Sequence, residues 1–210
     1  MCTISVKLTE RLMREDTRAE REAQIFEAGY RLLVQKGYVA TSMLAIAKAA
    51  NASNETLYRW YGDKKGLFRR MVERNAEGIR HRLAAVLANE TDPVVSLEQL
   101  APVLLGMLVG EAAISLNRAA ASDETGELGA AISAAGRETI FPMIESVVQR
   151  GMDASQIHAP TATVAAEWYL ALLVGDLQVR RVNRTLAPLT DGEVQLRAEI
   201  AGKAFRKLIA

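Results

Sequence analysis

Side chains able to do covalent or acid–base chemistry are sparse in this chain: one cysteine, Cys2, and two histidines, His81 and His158. The histidines stand far apart, and neither has a cysteine or carboxylate pattern around it. There is no HExxH, no GxSxG and no phosphate-binding glycine loop. Neither catalysis, a metal centre nor a cofactor is expected. A single cysteine cannot form an internal disulfide or a thiolate metal site, which fits a reducing cytoplasm. Non-covalent chemistry is better supplied. The stretch NETLYRWYGDKKGLF, Asn54–Phe68, gathers Tyr58, Arg59, Trp60, Tyr61, Lys64 and Lys65 in a chain that is only 5% aromatic. Such a set suits a negatively charged partner.

The elements that must position these side chains are helical. At about 100° per residue, Leu57, Trp60 and Tyr61 share one face, and Asn54, Glu55, Tyr58 and Arg59 lie on the other side. Tyr58 is then an outward aromatic beside a guanidinium. Lys64 and Lys65 open the next helix, where the helix dipole disfavours cations by roughly a few tenths of a kcal/mol. A bound phosphate reverses that preference, because helix N-termini offer free N–H groups to anions. Regional charge agrees. Net charge is +1, yet residues 1–89 carry sixteen Lys/Arg against ten Asp/Glu, and residues 90–210 carry ten against fifteen. A part with a net +6 is joined to one with a net −5, and the basic part also holds seven of the eleven aromatics. Only that first part is expected to meet an anionic partner.

Strand signals are nearly absent and spacings of three and four recur, so an all-α fold is expected. A first helix should run from about Thr17 to Gln35 and stop at Gly37. Thr41 or Ser42 caps a short helix carrying Met43, Ile46, Ala47 and Ala50, and Asn51 supports a left-handed turn. Ser53 or Asn54 caps a second short helix to Tyr61. Gly62 ends it, and Asp63 caps a long helix from Lys64 to about Leu87. Helix, tight turn, helix, with small alanines at the crossing, is a helix-turn-helix pattern. It implies a short helix in a DNA major groove, with Tyr58, Lys64 and the hydroxyls of Thr41 and Ser42 on backbone phosphates. A solvated turn is the plainer reading of the aromatic–lysine cluster by itself. The preceding helix, the turn and the regional charge favour DNA.

Beyond the linker NETDP, helices are expected near 96–119, 124–135, 137–151, 161–184 and 190–208. The expected domains are an arm over 1–17 (disordered, or a short extra helix, with Lys7, Arg11 and Arg14 adding phosphate attraction), a DNA-binding unit over 18–63, a connecting helix over 64–88 and a helical body over 89–210. The opening MCTISVKLTERLMRED has no apolar run for a signal peptide, and APVLLGMLVG is too short to span a bilayer. A cytoplasmic protein without membrane partners is expected.

The segments IFEAGYRLLVQKGYVATSM and AIAKAANASNETLYRWYGDKKGLFRRMVE, within Ile25–Glu73, resemble the TetR family of bacterial transcriptional regulators. The resemblance covers about a quarter of the chain. It implies an all-helical homodimer with a three-helix DNA-binding head and a variable body for ligand binding and dimerisation. The function it implies is a repressor on a palindromic double-stranded operator, released by a small hydrophobic effector. By position, Ser42 matches the phosphate-contacting cap, and Asn54 and Thr56 match recognition-helix residues that touch base edges. Tyr58 matches the tyrosine lying on the DNA backbone, and Lys64 the lysine that grips phosphate. An asparagine can serve adenine bidentately and a threonine can meet a thymine methyl. With Thr41, Ser53, Glu55, Arg59 and Trp60, these residues make up the expected DNA-binding set. Several positions depart from the family pattern. Asn51–Ala52 stands where the family usually has Gly–Val, and Leu44 where some members carry a base-reading polar residue. Glu55 is useful only against a cytosine or paired with Arg59. Trp60 stands where histidine is common: its helical spacing points to the core, its family position to the DNA edge.

In the body, Leu196, Ile200, Ala204 and Leu208 form one stripe, with Phe205 beside it. The helix before it carries two stripes, one of them through Tyr169, Leu173 and Leu177. Two apolar faces ask for two partners, the core and a second subunit. Tyr169, Leu173, Leu177, Leu196, Ile200 and Phe205 are therefore expected at a dimer interface, with burial inside a monomer as the alternative. Met107, Phe141, Met143 and Trp168 are expected to line an apolar effector pocket, interrupted by Glu111, Asn117 and Asp176. A helical protein-interaction adaptor that never binds DNA is the rival reading.

Overall fold

The computed structural model describes residues 2–89 and 92–210, with side chains from Thr17 onward. Its elements are helical throughout: α1 Cys2–Ala40, α2 Met43–Ala49, α3 Asn54–Tyr61, α4 Lys64–Ala88, α5 Pro93–Val109, α6 Glu111–Ala121, α7 Glu127–Ala135, α8 Arg137–Asp153, α9 Ala162–Val174, α10 Leu177–Val182 and α11 Asp191–Ile209. The arm side chains Lys7, Arg11 and Arg14 fall outside the described ones. Contacts divide the chain into two units, Met1–Leu67 and Phe68–Ala210.

In the first unit, α1 is interrupted at Gly37, where φ is 74° and ψ 175°. Ser42 caps α2, its hydroxyl accepting from the Ala45 amide at 3.2 Å. Thr41, expected to share that outward role, is only 1% exposed and donates its hydroxyl to the Gly37 carbonyl at 2.7 Å. A hydroxyl spent on its own backbone and shut from solvent has no phosphate to meet. The turn comes at Asn51, with φ 54°. Arg21 and Arg31 on α1 donate to the carbonyls of Asn51 and Ala49, tying the turn to the first helix. Ser53 rather than Asn54 caps α3, and the Asp63 carboxylate accepts from the Gly66 amide at 2.7 Å to cap α4. Ile25, Ile46, Leu57 and Leu67 are fully buried.

In the second unit, two helices expected to be continuous are broken. Residues 96–119 form α5 and α6, which turn by 47° where the backbone becomes extended at Gly110. Residues 161–184 split into α9 and α10 at Gly175, whose φ of 51° and ψ of −130° suit glycine. The core forms where α5 packs on α11 and α9 packs on α5, α8 and α11. Three residues expected at a pairing face belong to this core. Tyr169 and Leu173 on α9 are buried because that helix finds partners in α5, α8 and α11 of its own chain, and Phe205 on α11 is buried where α11 packs on α5 and α9. The Tyr169 hydroxyl donates to the Leu97 carbonyl at 2.8 Å, its ring meets Phe205 edge-on at 5.6 Å, and burial pushes its phenol pKa up. Tyr169→Phe should cost about 1 kcal/mol, the net worth of one hydrogen bond, and lower the melting midpoint by about 3 °C. Calorimetry reads that directly, and an unshifted midpoint would mean that the Leu97 carbonyl finds another donor.

Among the described residues, no single helix is long and apolar enough to cross a membrane, and no three His, Cys, Asp or Glu side chains converge as a metal site.

Candidate nucleic-acid interface and effector cavity

The outward surface of the first unit is organised by its caps. Ser53 accepts from the Thr56 amide at 3.0 Å, and the two hydroxyls share a hydrogen bond of 2.8 Å. Both are therefore fixed in place before any ligand arrives. Asn54 is half-buried, and its Oδ1 is enclosed without a hydrogen-bond partner. Glu55 and Arg59 are exposed, and Tyr58 is 49% exposed. Leu44 on α2 is exposed as well. A half-exposed tyrosine costs apolar surface in water and offers a hydroxyl to an acceptor, as a phosphate contact requires.

Two side chains of this surface are held by close neighbours. Trp60 is half-buried, its edge against Tyr61 and the Arg18 guanidinium 5.1 Å from its ring. It belongs neither to the closed core nor to open surface. Lys64 donates to the Tyr38 carbonyl at 2.6 Å and lies 4.0 Å from the Tyr38 ring. This anchors the ammonium at the opening of α4, on a residue that is half-buried. The dipeptide GY at Gly37–Tyr38, just past the predicted end of the first helix, was the available signal for this clamp.

The second unit holds a half-open cavity of about 560 Å³ walled by α4 to α10. Of the seven residues expected to line a pocket, Met107, Asn117 and Phe141 do so. Met143 and Trp168 pack against the core instead. Glu111 sits at the start of α6 and pairs with Arg181, whose side chain is buried. Asp176 is exposed beside the break at Gly175 and lies 3.9 Å from Arg180. The walls also use Asn75, Ser133, Arg137, Glu167 and Gln178, which periodicity did not mark. Arg137 lies 4.8 Å from the Phe141 ring and 3.7 Å from Glu167, an exposed pair at the cavity's edge.

Residues 25–71 match the model for bacterial regulatory proteins of the tetR family. Residues 95–207, more than half of the chain, match the model for the C-terminal domain of AefR-like transcriptional repressors. The chain belongs to the TetR family.

Solved structures of TetR-family members agree along nearly the whole length. A TetR-family regulator from Mesorhizobium loti is 25% identical, covering 90% of this chain and 96% of its own, with a TM-score of 0.73. A TetR regulator from Agrobacterium tumefaciens is 27% identical over 90% and 94%, with a TM-score of 0.67. A complex of SmeT with triclosan shares the fold at 18% identity over 91% and 92%, with a TM-score of 0.75. No curated protein matches. This TetR-family chain is thus a DNA-binding transcription regulator, with a helix-turn-helix unit and a helical ligand-binding body, and not an enzyme.

Proposed function

We propose that this TetR-family regulator is a cytoplasmic repressor. It binds a palindromic operator as a homodimer and is released when a small, largely apolar effector enters the cavity of the body. The apolar cavity of about 560 Å³ inside a family member's ligand-binding part carries the effector reading. The DNA-contacting set is Ser42, Ser53, Asn54, Glu55, Thr56, Tyr58, Arg59, Trp60 and Lys64, with Thr41 supporting it from within. Pairing rests on Leu196 and Ile200, which stay 57% and 52% exposed with Val179 and Leu208 on α10 and α11. An apolar set of this kind is expected to close on a second copy. A two-fold dimer then presents two recognition helices to half-sites about 34–36 Å apart. Release is a population shift: the effector favours a state whose heads are wrongly spaced for successive grooves.

The test is selection of bound duplexes from a random library, followed by titration with salt and with candidate effectors. A two-fold symmetric site, bound by a dimer with a steep salt dependence, supports the reading. Binding by a monomer, or a flat salt response that would favour a protein-interaction adaptor, sinks it. On the selected duplex, Tyr58→Ala should weaken binding about ten-fold with an unchanged melting curve. Lys64→Ala should reduce the salt slope by about one. Because Lys64 also holds the Tyr38 carbonyl, its loss should lower stability too. Wild-type affinity in Tyr58→Ala would remove that residue from the contact set.

A further inference from the structure

The cavity's polar side chains share a bias in what they have left to offer. Asn117 turns its amide nitrogen onto the Ala113 carbonyl at 2.8 Å, and Gln178 turns its own onto the Leu108 carbonyl at 2.9 Å. A carbonyl accepts only from the nitrogen end, so both amides are fixed in orientation. Asn75 likewise directs its nitrogen to the Met107 sulfur at 3.4 Å. Ser133 gives its single hydroxyl proton to Glu138 at 2.8 Å. What remains without a partner is a set of oxygen lone pairs: the amide carbonyls of Asn75, Asn117 and Gln178, and the Ser133 oxygen. These oxygens stand on α4, α6, α10 and α7, and so surround one apolar space. Arg137 and Glu167, the one cationic and one anionic side chain of this lining, pair at 3.7 Å at its exposed edge, with Arg137 also 4.8 Å from the Phe141 ring, so the rim has no net positive charge to offer a carboxylate.

We infer that the effector is an apolar molecule bearing hydroxyl or N–H donors, of the kind found in phenols, and that a carboxylate-bearing analogue is rejected. A ligand that displaces water from the cavity must supply a donor to each of these oxygens it covers. An ether leaves such an oxygen desolvated and unpaired, and a carboxylate sets charge against lone pairs. Selectivity of this type is strong because it rests on groups the protein cannot re-pair by itself.

This inference depends on the cavity being the effector site, and the experiment separates the two claims. Four probes share one skeleton: naphthalene, 2,7-dihydroxynaphthalene, 2,7-dimethoxynaphthalene and naphthalene-2,7-dicarboxylate. Each is titrated calorimetrically into the full-length protein, and its effect on binding of the selected duplex is measured. The diol should bind about ten-fold or more tightly than the dimethoxy compound, consistent with one to two added hydrogen bonds, and the dicarboxylate should not bind. Asn117→Leu and Gln178→Leu should each erode the preference for the diol, and Asn117→Asp, which keeps oxygen acceptors, should retain it. Equal binding of naphthalene, diol and dimethoxy compound would overturn the donor preference and leave the apolar cavity standing. Preferential binding of the dicarboxylate would overturn it outright. Failure of every probe to bind would overturn the effector cavity and this inference together.

Discussion

Gly66→Ala is expected to lower the melting midpoint of the protein and to weaken DNA binding by about a hundred-fold. A Cβ on residue 66 would lie 2.0 Å from the Tyr61 carbonyl oxygen and 3.1 Å from its carbon. Both are main-chain atoms, so no rotamer change relieves the clash. The end of α3 and the opening of α4 must move apart. Overpacking of this kind costs about 1–3 kcal/mol. The larger effect is expected on binding, since the proposed contacts Asn54, Thr56 and Tyr58 stand on α3 and Lys64 on α4. Losing alignment between them removes two or three contacts worth about 1 kcal/mol each, which compounds to roughly a hundred-fold. Melting curves and titration of the selected duplex would check both parts. An affinity within two-fold of wild type would show that the two helices part without disturbing the face they present.

The second large effect is on the body. Arg181 is 3% exposed and donates to the carbonyls of Val109 and Leu186 at 3.2 Å each, while pairing with Glu111. Its own carbonyl accepts from Arg118 at 2.6 Å. One guanidinium therefore joins the end of α5, the start of α6, α10 and the segment after it. Arg181→Ala leaves two backbone carbonyls without their donor. Hydrogen bonds to a charged group contribute about 1.5–3 kcal/mol each, less for Glu111, whose side chain is half-exposed to solvent. A net loss of about 3 kcal/mol is expected, seen as a fall of about 6–12 °C in melting midpoint. Arg181→Lys should recover little, because an ammonium cannot reproduce the fork that reaches three acceptors. A lysine variant melting with wild type would show that charge alone matters there.

Which parts of this architecture the sequence made legible follows from how local the determinants are. The turn at Asn51, a cap at Thr41 or Ser42, a cap at Ser53 or Asn54 and the all-helical fold depend on residues a few positions apart. Short-range patterns therefore exposed them. Thr41 and Ser42 are adjacent hydroxyls with the same capping chemistry, and only the path of the chain back from Gly37 decides which is spent internally. The breaks at Gly110 and Gly175 escaped because apolar periodicity continues across both, and a lone glycine in such a run reads as neutral. Tyr169 and Leu173 read as a pairing face because two apolar stripes on one helix look the same whether the second partner is another subunit or α8 and α11, and Phe205 because the side of the α11 stripe on which it falls is not fixed by spacing alone. The cavity was the hardest to see. Asn75, Arg137, Glu167 and Gln178 come from four helices, and nothing in their own neighbourhoods marks them as facing one space.

Each unit of this protein carries one of its two tryptophans, Trp60 in the first and Trp168 in the second. Trp60 sits on the short helix with Tyr58, under the Arg18 guanidinium, and Trp168 lies between Glu167 and Leu170, which line the cavity. Intrinsic fluorescence is thus already divided into two optical channels. With Trp168→Phe the remaining emission should report on the DNA-binding unit, and with Trp60→Phe on the body, including entry of the proposed effector. The order of the two events can then be timed in a single stopped-flow mixing, without attaching a dye.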